Sequence, residues 1–159
     1  RLRNRTRGRL SCPLVYRAPF GGGIRAPEHH SESDEALFAH KPGLRVVIPS
    51  TPERAYGLLL ASIRDPDPVI FLEPKRIYRS IKQEVTLNGE SLPLDRAFIT
   101  REGQDITLVT WGAMIKETTA VAEQLATAGA SLSVTNRWGC QVLRAAGVFL
   151  RGGLGRVNH

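Results

Sequence analysis

Two adjacent histidines, His29 and His30, stand in the segment APEHHSES between Glu28 and Glu32, shortly after the three glycines Gly21, Gly22 and Gly23. Imidazole titrates near neutrality, so a histidine in a cleft can act as an acid, a base or a hydrogen-bond donor. Glycines beside it would let a substrate approach the backbone closely. Neighbouring positions on an extended chain face opposite sides, and no third ligand stands at helix or knuckle spacing, which argues against one shared metal ion. Two hydrogen-bonded surface histidines are the plain alternative, and spacing alone leaves both readings open. The second candidate is the turn Asp65-Pro66-Asp67-Pro68. Prolines remove amide donors and leave carbonyls facing outward, which suits a hard cation bound by backbone oxygens. A helix stop before a strand is the more ordinary reading. The glycine run is not a phosphate loop, because it lacks both the GxGxxG spacing and a GK[ST] ending.

These groups have to be held by elements that the hydrophobic pattern outlines. The opening RLRNRTRGRL has arginine at every second position, which suits an extended arm or edge strand with all five on one face. Leu14 to Phe20 reads as a short strand, and Ser31 to His40 as a short helix capped by Ser33 or Asp34. Leu44 to Ile48 is a strand. A helix follows to about Arg64, started by a capping box from Ser50 to Glu53 and buried through Ala55, Leu58, Leu59 and Ser62, and Val69 to Leu72 is a buried strand. This is a βαβ unit with a parallel sheet. Residues 75 to 104 lack periodicity and read as a surface connection. A second unit comprises a strand from Ile106 to Trp111, a helix from Ala113 to Ala128 with Met114, Ile115, Val121 and Leu125 inward, and a strand from Ser131 to Val134. A boundary near residue 92 divides the chain into 1–91 and 92–134, and a tail of different composition occupies 135–159.

The chain has 159 residues, of which 42% are hydrophobic and 23% charged, enough for a real core. Its apolar runs are too short for a membrane helix. Cys12 and Cys140 cannot form a disulfide framework or a zinc knuckle, so a reducing compartment is the default. Arg1 follows no methionine or apolar leader, and the expectation is a cut rather than native start. The net charge of +7 sits at the ends: five arginines among the first ten residues, four after Glu123, and thirteen basic against fifteen acidic residues between. With aromatics at only 6%, this is not the footprint of a nucleic-acid surface.

The runs PLVYRAPFGGGIRAPEHHSES, FAHKPGLRVVIPSTPERAYGLLLASIRDPDPVIFLEPKRIYR and REGQDITLVTWGAMIKET resemble the beta subunit of the thiamine-diphosphate-dependent 2-oxo acid dehydrogenases, the decarboxylating component of pyruvate or branched-chain complexes. The likeness covers about residues 1 to 134. It implies an α/β fold: the C-terminal part of a transketolase-like pyrimidine-binding domain with a parallel sheet over 1–91, then the start of a transketolase C-terminal domain over 92–134, left incomplete. It also implies oxidative decarboxylation of a 2-oxo acid, pyruvate or 2-oxoisovalerate, with acyl transfer to the lipoyl groups of an acyltransferase core. The family's channel histidine matches His30, with His29 the weaker choice. The family's structural potassium ion, held by backbone carbonyls, matches Ser62, Asp65 and Asp67 and reverses the plain reading of the DPDP turn. Thiamine diphosphate would be shared with an alpha subunit in a heterotetramer, the alpha subunit holding magnesium and the diphosphate. No nucleic-acid or membrane partner is implied, and the location is cytoplasmic, or the mitochondrial matrix in a eukaryote.

Two departures set further expectations. The family's ylid-promoting glutamate lies in a stretch that would precede Arg1, and the alpha subunit's GDG-type motif is absent, so the chain alone is expected to be inactive. From Thr135 the sequence TNRWGCQVLRAAGVFLRGGLGRVNH leaves the family pattern, as a changed reading frame or spliced end would, and should be irregular, leaving an open sheet edge. The alternative function is a non-catalytic truncated subunit or subunit-pairing fragment.

Overall fold

The structure is a computed structural model and describes residues 1–137, 139, 140 and 148–150. Its opening residues are not extended: α1 spans Leu2–Arg5. The amides of Arg5 and Thr6 donate to the carbonyls of Arg1 and Leu2, and Gly8, at φ +79°, ends the turn. The arginine alternation suited an extended arm or edge strand, but among the described residues the segment pairs with no strand. Local hydrogen bonds win, with Arg3 reaching the Asp67 carboxylate at 2.8 Å.

The first sheet contains β1 (Val15–Phe20), and after the short α2 (Glu35–Ala39) come β2 (Arg45–Val47), α3 (Pro52–Arg64) and β3 (Val69–Pro74). β3 lies between β1 and β2, parallel to both, with Phe71 opposite Arg17 on one side and Val47 on the other. The near-continuous apolar run of β3 follows from that central place, since a strand covered on both faces has no polar side. Val47, Leu58, Val69 and Phe71 form the core under α3, joined by Leu94 from the connection. Phe20, Val46, Ile48, Ile70 and Leu72 form the core on the opposite face. The cap of α3 differs from the expected one. Thr51, not Ser50, accepts the Arg54 amide, at 3.3 Å, with Pro52 following in the first turn. Ser50 is instead fully buried and accepts the side-chain amide of Asn136 at 2.7 Å.

The second sheet has β4 (Ala97–Arg101), β5 (Ile106–Thr110) and, after α4 (Ile115–Thr127), β6 (Leu132–Arg137). β5 and β6 are parallel, and β4 runs antiparallel on the outer side of β6. β4 lies inside the stretch read as plain connection. α4 also turns a different face inward: Ala122 is fully buried and Ile115 packs with it against Leu132 and Val134. Met114, Val121 and Leu125 are exposed instead. The inward stripe runs through buried 122 and half-buried 115, 119 and 126, one position on from the apolar one, because small residues at 119, 122 and 126 let the helix approach the sheet. The chain also extends past the expected strand end at Val134. β7 (Gly139–Cys140) pairs antiparallel with β2, and β8 (Val148–Leu150) pairs antiparallel with β5. The edges of β2 and β5 are therefore covered rather than open. The apolar patches Val142, Leu143 and Val148 to Leu150 also suggest a helix from sequence, but Val148–Leu150 is a strand, while Val142 and Leu143 lie outside the described residues.

A contact at Gly103 ties the second unit together. The amides of Gln104 and Asp105 both donate to the Ser131 carbonyl, at 3.1 and 2.8 Å, and Asp105 accepts the Ser131 amide at 2.7 Å. A Cβ at Gly103 would fall on the Leu132–Ser133 peptide, which has no soft side chain to yield. Gly103→Ala is expected to lower stability by about 1–3 kcal/mol, as overpacking does. The measure is thermal unfolding beside the neighbouring Glu102→Ala, and equal midpoints for the two variants would refute the contact.

Candidate functional site

The parallel strands β1 and β3 end at Phe20 and Pro74, and β5 of the second sheet ends beside Trp111, so the C-terminal ends of three strands border one space. In open α/β sheets that end is where ligands bind. Gly21 and Gly23 adopt φ values of +81° and +90°, and the side-chain stem of Arg76 lies where a Cβ of Gly23 would sit, 2.7 Å from its Cδ. Only glycine satisfies both conditions at position 23. The Gly21 amide donates to the Glu32 carbonyl at 2.7 Å, which folds the loop back on the histidine segment.

That segment is a 3-10 turn, Glu28–Ser31, not extended chain, so the argument from alternate faces does not apply to the two histidines. Arg25 and Glu28 stand in the left-handed region at φ 58° and 52°. Such backbone persists only where its surroundings hold it. Here the Ser31 hydroxyl donates to the Ala26 carbonyl, the His30 amide to the Pro27 carbonyl at 3.3 Å, and the Lys75 ammonium to the His30 carbonyl. His30 is thus a solvent-facing residue on a turn fastened from three sides. His30 is not among the residues lining a space of 230 Å³ between the two units, walled by Phe20 and the glycines on one side and Trp111 to Met114 on the other. Glu35, Arg76 and Trp111 in that cleft carried no sequence signal as a group, being 35 or more residues apart.

A larger space of 310 Å³ lies on the α3 side of the same strand ends, between Phe71, Leu59 and Tyr56. At its rim Glu73 accepts the Arg17 guanidinium at 2.7 Å and the Tyr78 hydroxyl at 2.9 Å. Burial, followed by the hydrogen bond to Glu73, pushes the Tyr78 phenol up to about 12, so it remains a neutral donor at ordinary pH.

Ser62, Asp65 and Asp67 come together in the turn between α3 and β3. The Ser62 carbonyl belongs to the last turn of α3 and accepts the Asp65 amide at 3.3 Å, which leaves its second lone pair. The Asp65 carboxylate accepts the Asp67 amide at 2.8 Å and lies 3.3 Å from the Arg45 guanidinium, while Arg3 takes Asp67. Both carboxylates are neutralised by arginine, so a cation here would rest on carbonyl oxygens. That fits a weakly bound, backbone-ligated monovalent ion better than a carboxylate-ligated divalent one. Among the described residues no group of three His, Cys, Asp or Glu side chains has metal-holding geometry, and Cys12 is free and exposed. No helix among them is long and apolar enough to cross a membrane.

Comparison with known proteins matches residues 1–80 to the transketolase pyrimidine-binding domain and residues 95–145 to the transketolase C-terminal domain. The chain is 52% identical over 134 residues to the pyruvate dehydrogenase E1 component subunit beta of Acholeplasma laidlawii, covering 84% of this chain and 41% of that protein. It is 47% identical over 136 residues to the 2-oxoisovalerate dehydrogenase subunit beta of Bacillus subtilis, covering 86% and 42%. It therefore spans about two fifths of the length of these relatives. A solved structure described as a split-gene transketolase, inactive beta4 tetramer, superposes with a TM-score of 0.63 at 21% identity over 79% of this chain and 40% of that one, a likeness of fold.

Proposed function

Because the chain belongs to the transketolase pyrimidine-binding domain family, we propose that it is a segment of a 2-oxo acid dehydrogenase beta subunit, which decarboxylates pyruvate or a branched-chain 2-oxo acid and passes the acyl group to lipoyl arms. The observation that carries this reading is the match to both domains in series, joined to about half identity with beta subunits of both substrate types. In it the pyrimidine-binding part occupies 1–91, the second domain begins at 92 and extends to 134, and 135–159 is a divergent tail. The partners are an alpha subunit and a lipoyl acyltransferase core, and the site of action is the cytoplasm or a mitochondrial matrix.

Thiamine diphosphate, when bound, supplies the carbanion and the electron sink for decarboxylation. The diphosphate and magnesium are assigned to the alpha subunit and to no residue of this chain. His30 is the residue we assign as acid or base, from its exposed place on the fastened 3-10 turn. Lys75 fastens the turn through the His30 main-chain carbonyl. The glycines keep the backbone beside it free of side chains.

The test replaces the matching segment of the Bacillus subtilis 2-oxoisovalerate dehydrogenase beta subunit with residues 1–134 and co-expresses it with that enzyme's alpha subunit. Turnover of 2-oxoisovalerate or pyruvate supports the assignment, and a correctly assembled but inactive enzyme refutes it. For the turn of Ser62, Asp65 and Asp67, the proposed occupant is potassium. Replacing sodium by potassium at constant ionic strength is expected to raise the unfolding midpoint by a few degrees, since an ion bound only by the folded state stabilises it by mass action. Identical midpoints in the two salts would remove the site.

A further inference from the structure

The 310 Å³ space on the α3 side of the sheet has no part in the proposed reaction: of its walls only Pro74 also borders the space beside the glycines, and His30 lines neither. Its interior is apolar, built by Ala55 and Leu59 of α3, Phe71 of β3, and Ile77 and Ile81 of the segment that follows. That segment is fastened to α3. The Gln83 side-chain amide donates to Glu53 at 3.0 Å, the Gly89 amide to the Tyr56 hydroxyl at 2.9 Å, and the Leu92 amide to the Gly57 carbonyl at 3.0 Å. The space is therefore preformed, which spares a ligand the cost of ordering its walls. The charged residues among its described walls are Arg17 and Glu73, and they pair with each other. An ion entering would lose its water without meeting a free counter-charge, whereas a neutral ring gains by leaving water. Glu73 accepts Arg17 through Oε1 and the Tyr78 hydroxyl through Oε2, and a carboxylate has about four lone-pair sites, so Oε2 has room for one more donor. The Glu73 side chain is 21% exposed, which keeps it within reach of a ligand at the rim. At 310 Å³ the space stands at the lower end of small-molecule pockets, which suits a single-ring compound.

We propose that this space binds a small neutral phenol, its ring among the apolar residues of α3, β3 and the following segment and its hydroxyl donating to Glu73. Phenol itself is the probe, titrated into the full chain while methyl resonances are followed by NMR. Saturable shifts at Ala55, Ile77 and Ile81 are expected, with a Kd on the order of 1 mM for a ligand of this size, while the methyls of the exposed Leu87 stay in place. Anisole has the ring but cannot donate, and should bind about threefold more weakly or worse, the loss of one hydrogen bond. Benzoate and benzylammonium should give no saturation. Ala55→Phe enlarges a lining side chain and should weaken phenol binding at least about tenfold. The proposal is overturned by absence of saturation with phenol, by shifts that reach Leu87 equally, by anisole, benzoate or benzylammonium binding as tightly as phenol, or by unchanged affinity in Ala55→Phe. If Ala55→Phe fails to fold by circular dichroism, the methyl shifts and the three analogues decide the matter with the parent chain alone.

Discussion

Phe71→Ala is expected to lose about 3–5 kcal/mol of stability, the range for removing a buried aromatic ring. Phe71 is only 2% exposed and sits in the central strand, with β1 on one side and β2 on the other. It belongs to one core cluster with Val47, Leu58, Val69 and Leu94, which joins the sheet to α3 and to the connection. It also borders the 310 Å³ space on the α3 side, and partial entry of water there should place the loss nearer the lower figure. Against a total stability of about 5–15 kcal/mol such a loss leaves a large unfolded fraction. Urea unfolding would show a much lower midpoint with an unchanged slope. Leu87→Ala, at a leucine 78% exposed, should stay within about 0.5 kcal/mol of the parent. Similar midpoints for the two variants would contradict the packing described.

In the assembled enzyme, His30→Ala should depress the overall reaction by about 10²-fold or more, the usual contribution of a positioned acid or base, whereas His29→Ala should have a mild effect. The two substitutions fall in the same 3-10 turn, so a general disturbance of that turn would affect both. A selective loss therefore reports chemistry. His30→Gln separates the roles further, since it retains hydrogen bonding without an acid–base group: it should stay low. Equal, mild losses at 29 and 30 would mean that both are surface histidines.

The arrangement β2, α3 and β3 was readable directly. Pro52 after a capping residue, the apolar face through Leu58 and Ser62, and the proline-rich stop at 66 and 68 act locally, within a few residues of the structure they impose. The identity of the cap was not. Ser50 and Thr51 are both competent, and Ser50 was withdrawn from the role by Asn136, 86 positions away. The phase of α4 failed for a related reason. Its larger apolar residues suggested one stripe, but the sheet accepts Ala122 at closest approach and leaves Val121 and Leu125 outside. β4 has only five residues and no strong alternation of burial, and it becomes a strand because β6 lies beside it. The second sheet was expected to keep an open edge, but β8 from the divergent tail covers β5, and β7 likewise pairs with β2 of the first sheet.

By itself, the sequence determined the two α/β units in series, the turn that gathers Ser62, Asp65 and Asp67, and the family to which the chain belongs, because each rests on residues close together in the chain or on runs long enough to be distinctive. Only the tertiary structure decided that the histidine segment is a 3-10 turn held by Lys75, and that Glu35, Arg76 and Trp111 share one cleft. Such placements arise where separate strands end at one edge. They depend on register and on the crossing of distant segments, which short-range preferences do not encode.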